Sequence, residues 1–173
     1  MKKIILIVIA GIFLIIAIPS CEKDDICPAD TPTTPLLIIR FYDDLNRTEP
    51  KSVTSLRVTT GENNDIVSES LNRKSTDSIA LPLKVFENST AFKLIADSKD
   101  DTDTNNEIGN ADIVTFSYDN KEVFISRGCG FANHYENLTE NLNNGGDTPW
   151  ILDIEIQNTT VENQTIAHVK IFH

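Results

Sequence analysis

Runs of strand length recur along this chain, and one stretch alone has helical spacing. Residues 36–42 (LLIIRFY) form a dense apolar run between Pro35 and Asp43, the pattern of a central strand. A second strand is expected over 53–60, where Leu56 and Val58 alternate with polar neighbours. Residues 78–85 read as a strand too, but Pro82 has no N–H for a ladder and places them at an edge or bulge. Over 90–96, Phe92, Leu94 and Ala96 share one face. Residues 112–118 and 121–126 read as a hairpin turning at Asp119-Asn120, with Val114, Phe116 and Tyr118 on one face. Gly128-Cys129-Gly130 breaks the return strand. Residues 150–157 point Leu152, Ile154 and Ile156 inward, and 165–172 set Ala167, Val169 and Ile171 opposite Ile166, His168 and Lys170. Residues 61–76 and 97–111 are polar and read as loops. Residues 133–142, with Tyr135, Leu138 and Leu142, predict one or two helical turns. Such a pattern folds as a single antiparallel β-sandwich of about eight strands.

What precedes the strands is different in kind. Lys2 and Lys3 are followed by an apolar run over 4–18 and then Pro19-Ser20-Cys21, the layout of a secretory signal peptide. The run is short for a membrane span, which takes roughly 20 residues; an uncleaved anchor helix is the alternative. Ile18-Pro19-Ser20-Cys21 resembles a bacterial lipobox, which implies cleavage before Cys21 and acylation of its thiol. Each buried CH₂ adds about 0.8 kcal/mol of membrane affinity, so two or three chains anchor firmly. The next four residues, Glu22, Lys23, Asp24 and Asp25, resemble the export signal that sends Bacteroidetes lipoproteins to the outer face of the outer membrane. A solvated charged tether would look the same. The expected organisation is a signal peptide over 1–20, a lipidated acidic and Pro-rich tether over 21–35, and the sandwich over 36–173.

With Cys21 acylated, Cys27 and Cys129 remain. In an exported protein two cysteines pair by default. A nucleophilic Cys129 with His134 as its base is the alternative. The chain has 15 basic and 26 acidic residues and a formal charge of −11, and it becomes more acidic when Lys2 and Lys3 leave. Nucleic acid is excluded as a partner, because phosphate binding needs clustered Lys and Arg. Electrostatic adhesion to anionic lipid is excluded as the means of attachment, which is left to the acyl chains.

The stretches CEKDDIC (21–27), TPTTPLLIIRFYD (31–43), DSIALPL (77–83), VTFSY (114–118) and VFISRGCGF (123–131) together resemble an uncharacterised Bacteroidetes lipoprotein family, a domain of unknown function. The resemblance runs from Cys21 to about residue 138. It implies an exported β-rich lipoprotein with its two cysteines in these places, and it implies no activity.

Three candidate sites remain. Asp101, Asp103, Asn105 and Asp112 stand at offsets one, three, five and twelve, which resembles the oxygen-rich calcium loops of EF-hands and dockerins. Asn106 stands at position six where such loops have Gly, and strands flank it instead of helices, so turn chemistry in a solvated hairpin loop is the favoured reading. Asp77-Ser78-Ile79 fits the Asp-Ser/Thr-apolar motif for O-glycosylation, with Ser78 the acceptor, unless Ser78 simply begins a strand. Tyr135 and Trp150 are candidates for a sugar-stacking platform; core packing is the other reading. The three histidines have no metal-ligand spacing, and no hydrolase, zincin or P-loop motif occurs. The expected function is therefore non-enzymatic: an outer-membrane lipoprotein on the cell surface with a binding or structural role. Alternatives are a periplasm-facing accessory subunit of an envelope complex, or a protein that binds or processes glycans. Its expected partners are the membrane, through the N-terminal lipid, and an envelope protein or glycan; no cofactor is expected, with calcium at Asp101, Asp103, Asn105 and Asp112 as the alternative.

Overall fold

The computed structural model of this protein describes residues 26–31, 33–61, 65–104, 106–143 and 148–173. They fall into two compact units, 26–31 with 125–130, and the described residues of 33–124 with those of 131–173. Among the described residues there are nine strands: β1 (Leu37–Tyr42), β2 (Val53–Thr60), β3 (Lys74–Thr76), β4 (Ser78–Leu81), β5 (Ser89–Asp100), β6 (Glu107–Ser126), β7 (Gly130–Asn143), β8 (Asp153–Ile156) and β9 (Val169–Phe172). No described helix is long and apolar enough to cross a membrane.

The larger unit is a β-sandwich. One sheet has the order β4-β1-β9-β8 and the other β3-β2-β5-β6-β7. Alternation explains the layers. Leu37, Ile39 and Phe41 of β1 and Val169 and Ile171 of β9 are buried from one sheet; Leu56, Val58, Phe92, Leu94, Val114 and Phe116 are buried from the other. All of them join one core cluster. β1 pairs antiparallel with β4 but parallel with β9, a departure from the purely antiparallel expectation. These two strands lie at opposite ends of the sequence, so no short turn dictates their sense. β4 is an edge strand that ends at Leu81, and Pro82, which has no N–H for a ladder, stands just outside it.

Several expectations are corrected. The loop expected over 97–111 is mostly strand: β5 continues to Asp100 and β6 starts at Glu107. The register shifts between Ala96 and Lys99, where Asp97 has φ 52° and Gly109 φ 154°. A Cβ on Gly109 would lie 2.7 Å from the Ala96 carbonyl oxygen, so this bulge needs glycine. The chain turns only between Asp100 and Glu107, where Asp101 N donates to the Asn106 carbonyl at 2.8 Å.

The turn expected at Asp119-Asn120 is absent, since β6 runs straight through both. Their side chains serve neighbouring segments instead. Asn120 Nδ2 donates to the Glu87 carbonyl at 2.7 Å, and Asp119 accepts from Asn137 Nδ2 at 2.8 Å. The turn falls at residues 127–129, between β6 and β7. The helix expected over 133–142 is strand β7. Tyr135 and Leu138 are both buried although three residues apart, because Asn137 takes φ 55°. A bulge of this kind shifts which side chains point inward and imitates helical spacing in the sequence.

Within 61–76 the described residues include a 3₁₀ turn, Glu69–Leu71, and β3. Leu152 precedes β8 and is 55% exposed, contrary to its expected inward face. His168, expected outside, is fully buried. Its Nδ1 accepts from Ile38 N at 3.0 Å, and its own backbone N–H donates to the Ile38 carbonyl. The imidazole thus stands in for a ladder partner where β9 approaches β1.

Candidate functional site

Cys27 and Cys129 are disulfide-bonded, with Cα atoms 4.7 Å apart and a sequence separation of 102. Both belong to the smaller unit. The turn that carries Cys129 is closed by its N–H, which donates to Ser126 Oγ at 3.1 Å, and Gly130 follows with φ 73°, a conformation that costs glycine little. The expected pairing is present. Its sulfur is therefore no thiolate, and the alternative of a Cys129 nucleophile with His134 is overturned.

Phe124 and Phe131 flank that turn in sequence and lie in the larger unit. They are 58% and 61% exposed, and their rings meet edge to face with centroids 5.3 Å apart. An aromatic pair that packs on itself while facing solvent is an unfinished apolar contact. The sequence reading missed it. A signal was present: from Val123 to Asn133 there is no Asp or Glu, and Arg127 is the one charge, in a chain dominated by acidic residues.

A second feature is a charged cleft of about 470 Å³ lined by Arg57, Thr59, Lys93, Ile95, Asp100, Asn106 and Glu107. Glu107 receives Arg57 and Ser98 and is 3.3 Å from Arg73 Nη2. Arg73 grips Asp100 with both terminal nitrogens and reaches Ser98 Oγ with Nε at 3.1 Å. Those hydrogen bonds hold the Asp100 carboxyl below its usual range. Arg57 Nε and Thr59 Oγ1 are buried with no hydrogen-bond partner among the described residues. The polar appearance of 97–111 concealed this cleft, because its parts come from strands far apart in sequence.

Of the remaining candidates, Cys21, Glu22, Lys23, Asp24, Asp25 and Asn105 lie outside the described residues. The calcium set does not assemble. Asp101 spends Oδ1 on Asp103 N at 2.8 Å and Thr104 N at 3.3 Å, an Asx turn that keeps its carboxyl below the usual range. Asp112 is fully buried on β6. Its Oδ2 accepts from Trp150 N at 3.0 Å and Ile151 N at 2.9 Å, so it fastens a neighbouring segment instead of facing a loop. Among the described residues no group of three or more His, Cys, Asp or Glu is placed to hold a metal ion.

The Tyr135–Trp150 platform is also overturned. Tyr135 is fully buried, packs edge to face on Tyr118 at 5.0 Å and donates to the Leu83 carbonyl at 3.1 Å. Burial, with Tyr118 beside it, pushes its phenol up to about 12. Trp150 packs against the core, with Nε1 donating to the Leu94 carbonyl at 3.3 Å. Ser78 opens edge strand β4 and lines a cleft of about 600 Å³ together with Leu71, Lys74, Thr76 and Ile79.

Fold and cysteines define the class: an all-β sandwich protein with one long-range disulfide between its early and later sequence. A model described as a family of unknown function, DUF6452, matches residues 55–173. That is more than half of the chain, and the chain belongs to this family. The match takes in Cys129 and runs on to the last residue, beyond the extent of the resemblance seen in the sequence; it starts after Cys21 and Cys27. No curated protein and no solved structure matches the chain.

Proposed function

We propose that this chain is an exported lipoprotein of the Bacteroidetes type, held at the outer membrane by acyl chains on Cys21. Glu22, Lys23, Asp24 and Asp25 would carry it to the cell surface, where its sandwich has a non-enzymatic binding or structural role. The observation that supports this most is the Cys27–Cys129 bridge. Disulfides persist in oxidising compartments and are rare where thiols are kept reduced, and this one begins six positions after the lipobox-like cysteine. Mass spectrometry of the native N-terminal peptide tests the reading. An acylated Cys21 at the new N-terminus is the expected result; a bare thiol or a retained leader rejects it. Protease treatment of intact cells then separates a surface protein, which is cut, from a periplasm-facing subunit, which is not.

The charged cleft favours one refinement, a small polar ligand such as a glycan. Its walls are charged and polar, with Arg57, Thr59, Asp100 and Glu107 among the lining residues. Glycan-array binding that is lost in both Arg57→Ala and Thr59→Val supports this. Binding unchanged in both variants rejects the cleft as the site.

A further inference from the structure

We propose that Phe124 and Phe131 are a lipid-contacting pair, seated in the headgroup boundary of the membrane that anchors the chain; this rests on the lipoprotein reading of Cys21. The rings are more than half exposed and touch each other, so they offer one small apolar surface rather than two scattered residues. The occupant follows from the chain leading to them. Cys27 lies six positions after Cys21, a leash of at most about 21 Å when extended and roughly 13 Å as flexible coil. Through the disulfide, that leash ends at Cys129, two residues before Phe131. Without the bridge, the first bond to a distant segment among the described residues downstream is at Thr34, whose Oγ1 accepts from Asn133 N, and the leash is about twice as long. Both attachments fall within two residues of Phe131 in sequence, and the disulfide gives the shorter leash to it.

Charge agrees with this placement. The segment from Val123 to Asn133 holds Arg127 and no carboxylate, while an acidic segment would be repelled by anionic headgroups. Aromatic and aliphatic side chains beside a basic residue are the composition that settles at a bilayer interface. No insertion across the membrane is implied, and the acyl chains remain the anchor.

The test uses the acylated chain, verified by mass spectrometry, in vesicles of phosphatidylethanolamine and phosphatidylglycerol. Single Phe124→Trp and Phe131→Trp variants add a reporter to the background of Trp150, which is subtracted using the parent protein. Leu45→Trp serves as the solvent control, since Leu45 is 95% exposed. Brominated acyl chains are expected to quench most of the added emission at 124 and 131 and to leave 45 unchanged. Quenching at 124 and 131 should weaken when Cys27 and Cys129 are both replaced by serine. If the acylated, vesicle-bound protein shows no quenching at 124 or 131, the inference is overturned while the lipoprotein reading stands. An unacylated Cys21 overturns both. Concentration-dependent dimers that Phe124→Ser with Phe131→Ser disperses, together with absent quenching, would assign the pair to a second copy and equally overturn it.

Discussion

Strand β6 contains two regimes in one uninterrupted run of backbone. In its middle part Asp112, Val114, Phe116 and Tyr118 alternate into the core and are all but completely buried. From Asp119 to Phe124 none of the residues is buried, and Phe124 stands more than half exposed. Local sequence marks Asp119 to Glu122 as polar, but it does not distinguish Phe124 from Phe116, since each is a phenylalanine in strand context. The difference is whether the facing sheet covers them. Apolar residues stabilise a strand only in proportion to the area removed from water, so Phe116 and Phe124 contribute very differently despite being one side-chain type on one strand.

The largest effects should come from the covered part. Phe116→Ala is expected to cost about 3–5 kcal/mol by loss of burial and opening of a cavity, read from denaturant unfolding; Phe124→Ser should move stability by less than about 0.5 kcal/mol. Equal costs would break the comparison. Replacing Cys27 and Cys129 by serine comes next. The chain-entropy model gives up to about 4.7 kcal/mol for a loop of this length, with measured bridges commonly giving 2–5; the shift in melting temperature between oxidised and reduced protein measures it.

Asp112→Ala removes a charged acceptor from two backbone N–H groups and should cost about 1.5–3 kcal/mol. Asp112→Asn keeps one acceptor oxygen and should recover part of that loss. If the alanine variant were neutral, the placement of Trp150 and Ile151 would not depend on the carboxylate. Tyr135→Phe, which deletes the bond to the Leu83 carbonyl and keeps the ring packing, is expected to cost about 0.5–1.5 kcal/mol.

Smaller still is the pH dependence of the buried His168 imidazole and the half-buried His173 imidazole. Burial lowers the pKa of His168 and His173 below 6.5, so as pH falls the unfolded chain takes up protons first. Their contribution to stability is complete above about pH 6.5 and is lost as pH falls from there through the folded-state values. Melting temperatures measured across that window should fall for the wild type and fall less for His168→Gln. A steeper fall in the variant would mean that the imidazole is not held neutral.

Much of the fold was legible because alternation is a local property. β1, β2 and the start of β5 appear where their patterns place them, Pro82 marks an edge, and the cysteines left after Cys21 are joined. What was misread shares a cause. Asp119-Asn120 resembles a turn, and 133–142 resembles a helix, because polar residues and three-residue spacings also arise in a strand with bulges and cross-strand hydrogen bonds. The calcium-like loop failed for a related reason. Asp112 has the right offset in sequence, but its side chain is drawn into the interior by Trp150 N and Ile151 N, which come from residues far downstream. Tyr135 and Trp150 looked like surface aromatics because the loops around them are Gly- and Asn-rich, yet each finds a carbonyl partner inside the sandwich.

By itself the sequence determined the strand class of this protein, its layered architecture and the availability of one cysteine pair, because period-two patterning and residue counts need no knowledge of neighbours. Tertiary structure alone decided where β6 turns, which of its phenylalanines meets water, and that Asp112 and His168 act as internal hydrogen-bond acceptors. Those outcomes depend on which distant segment lies opposite each residue, and burial and hydrogen-bond satisfaction are properties of that juxtaposition.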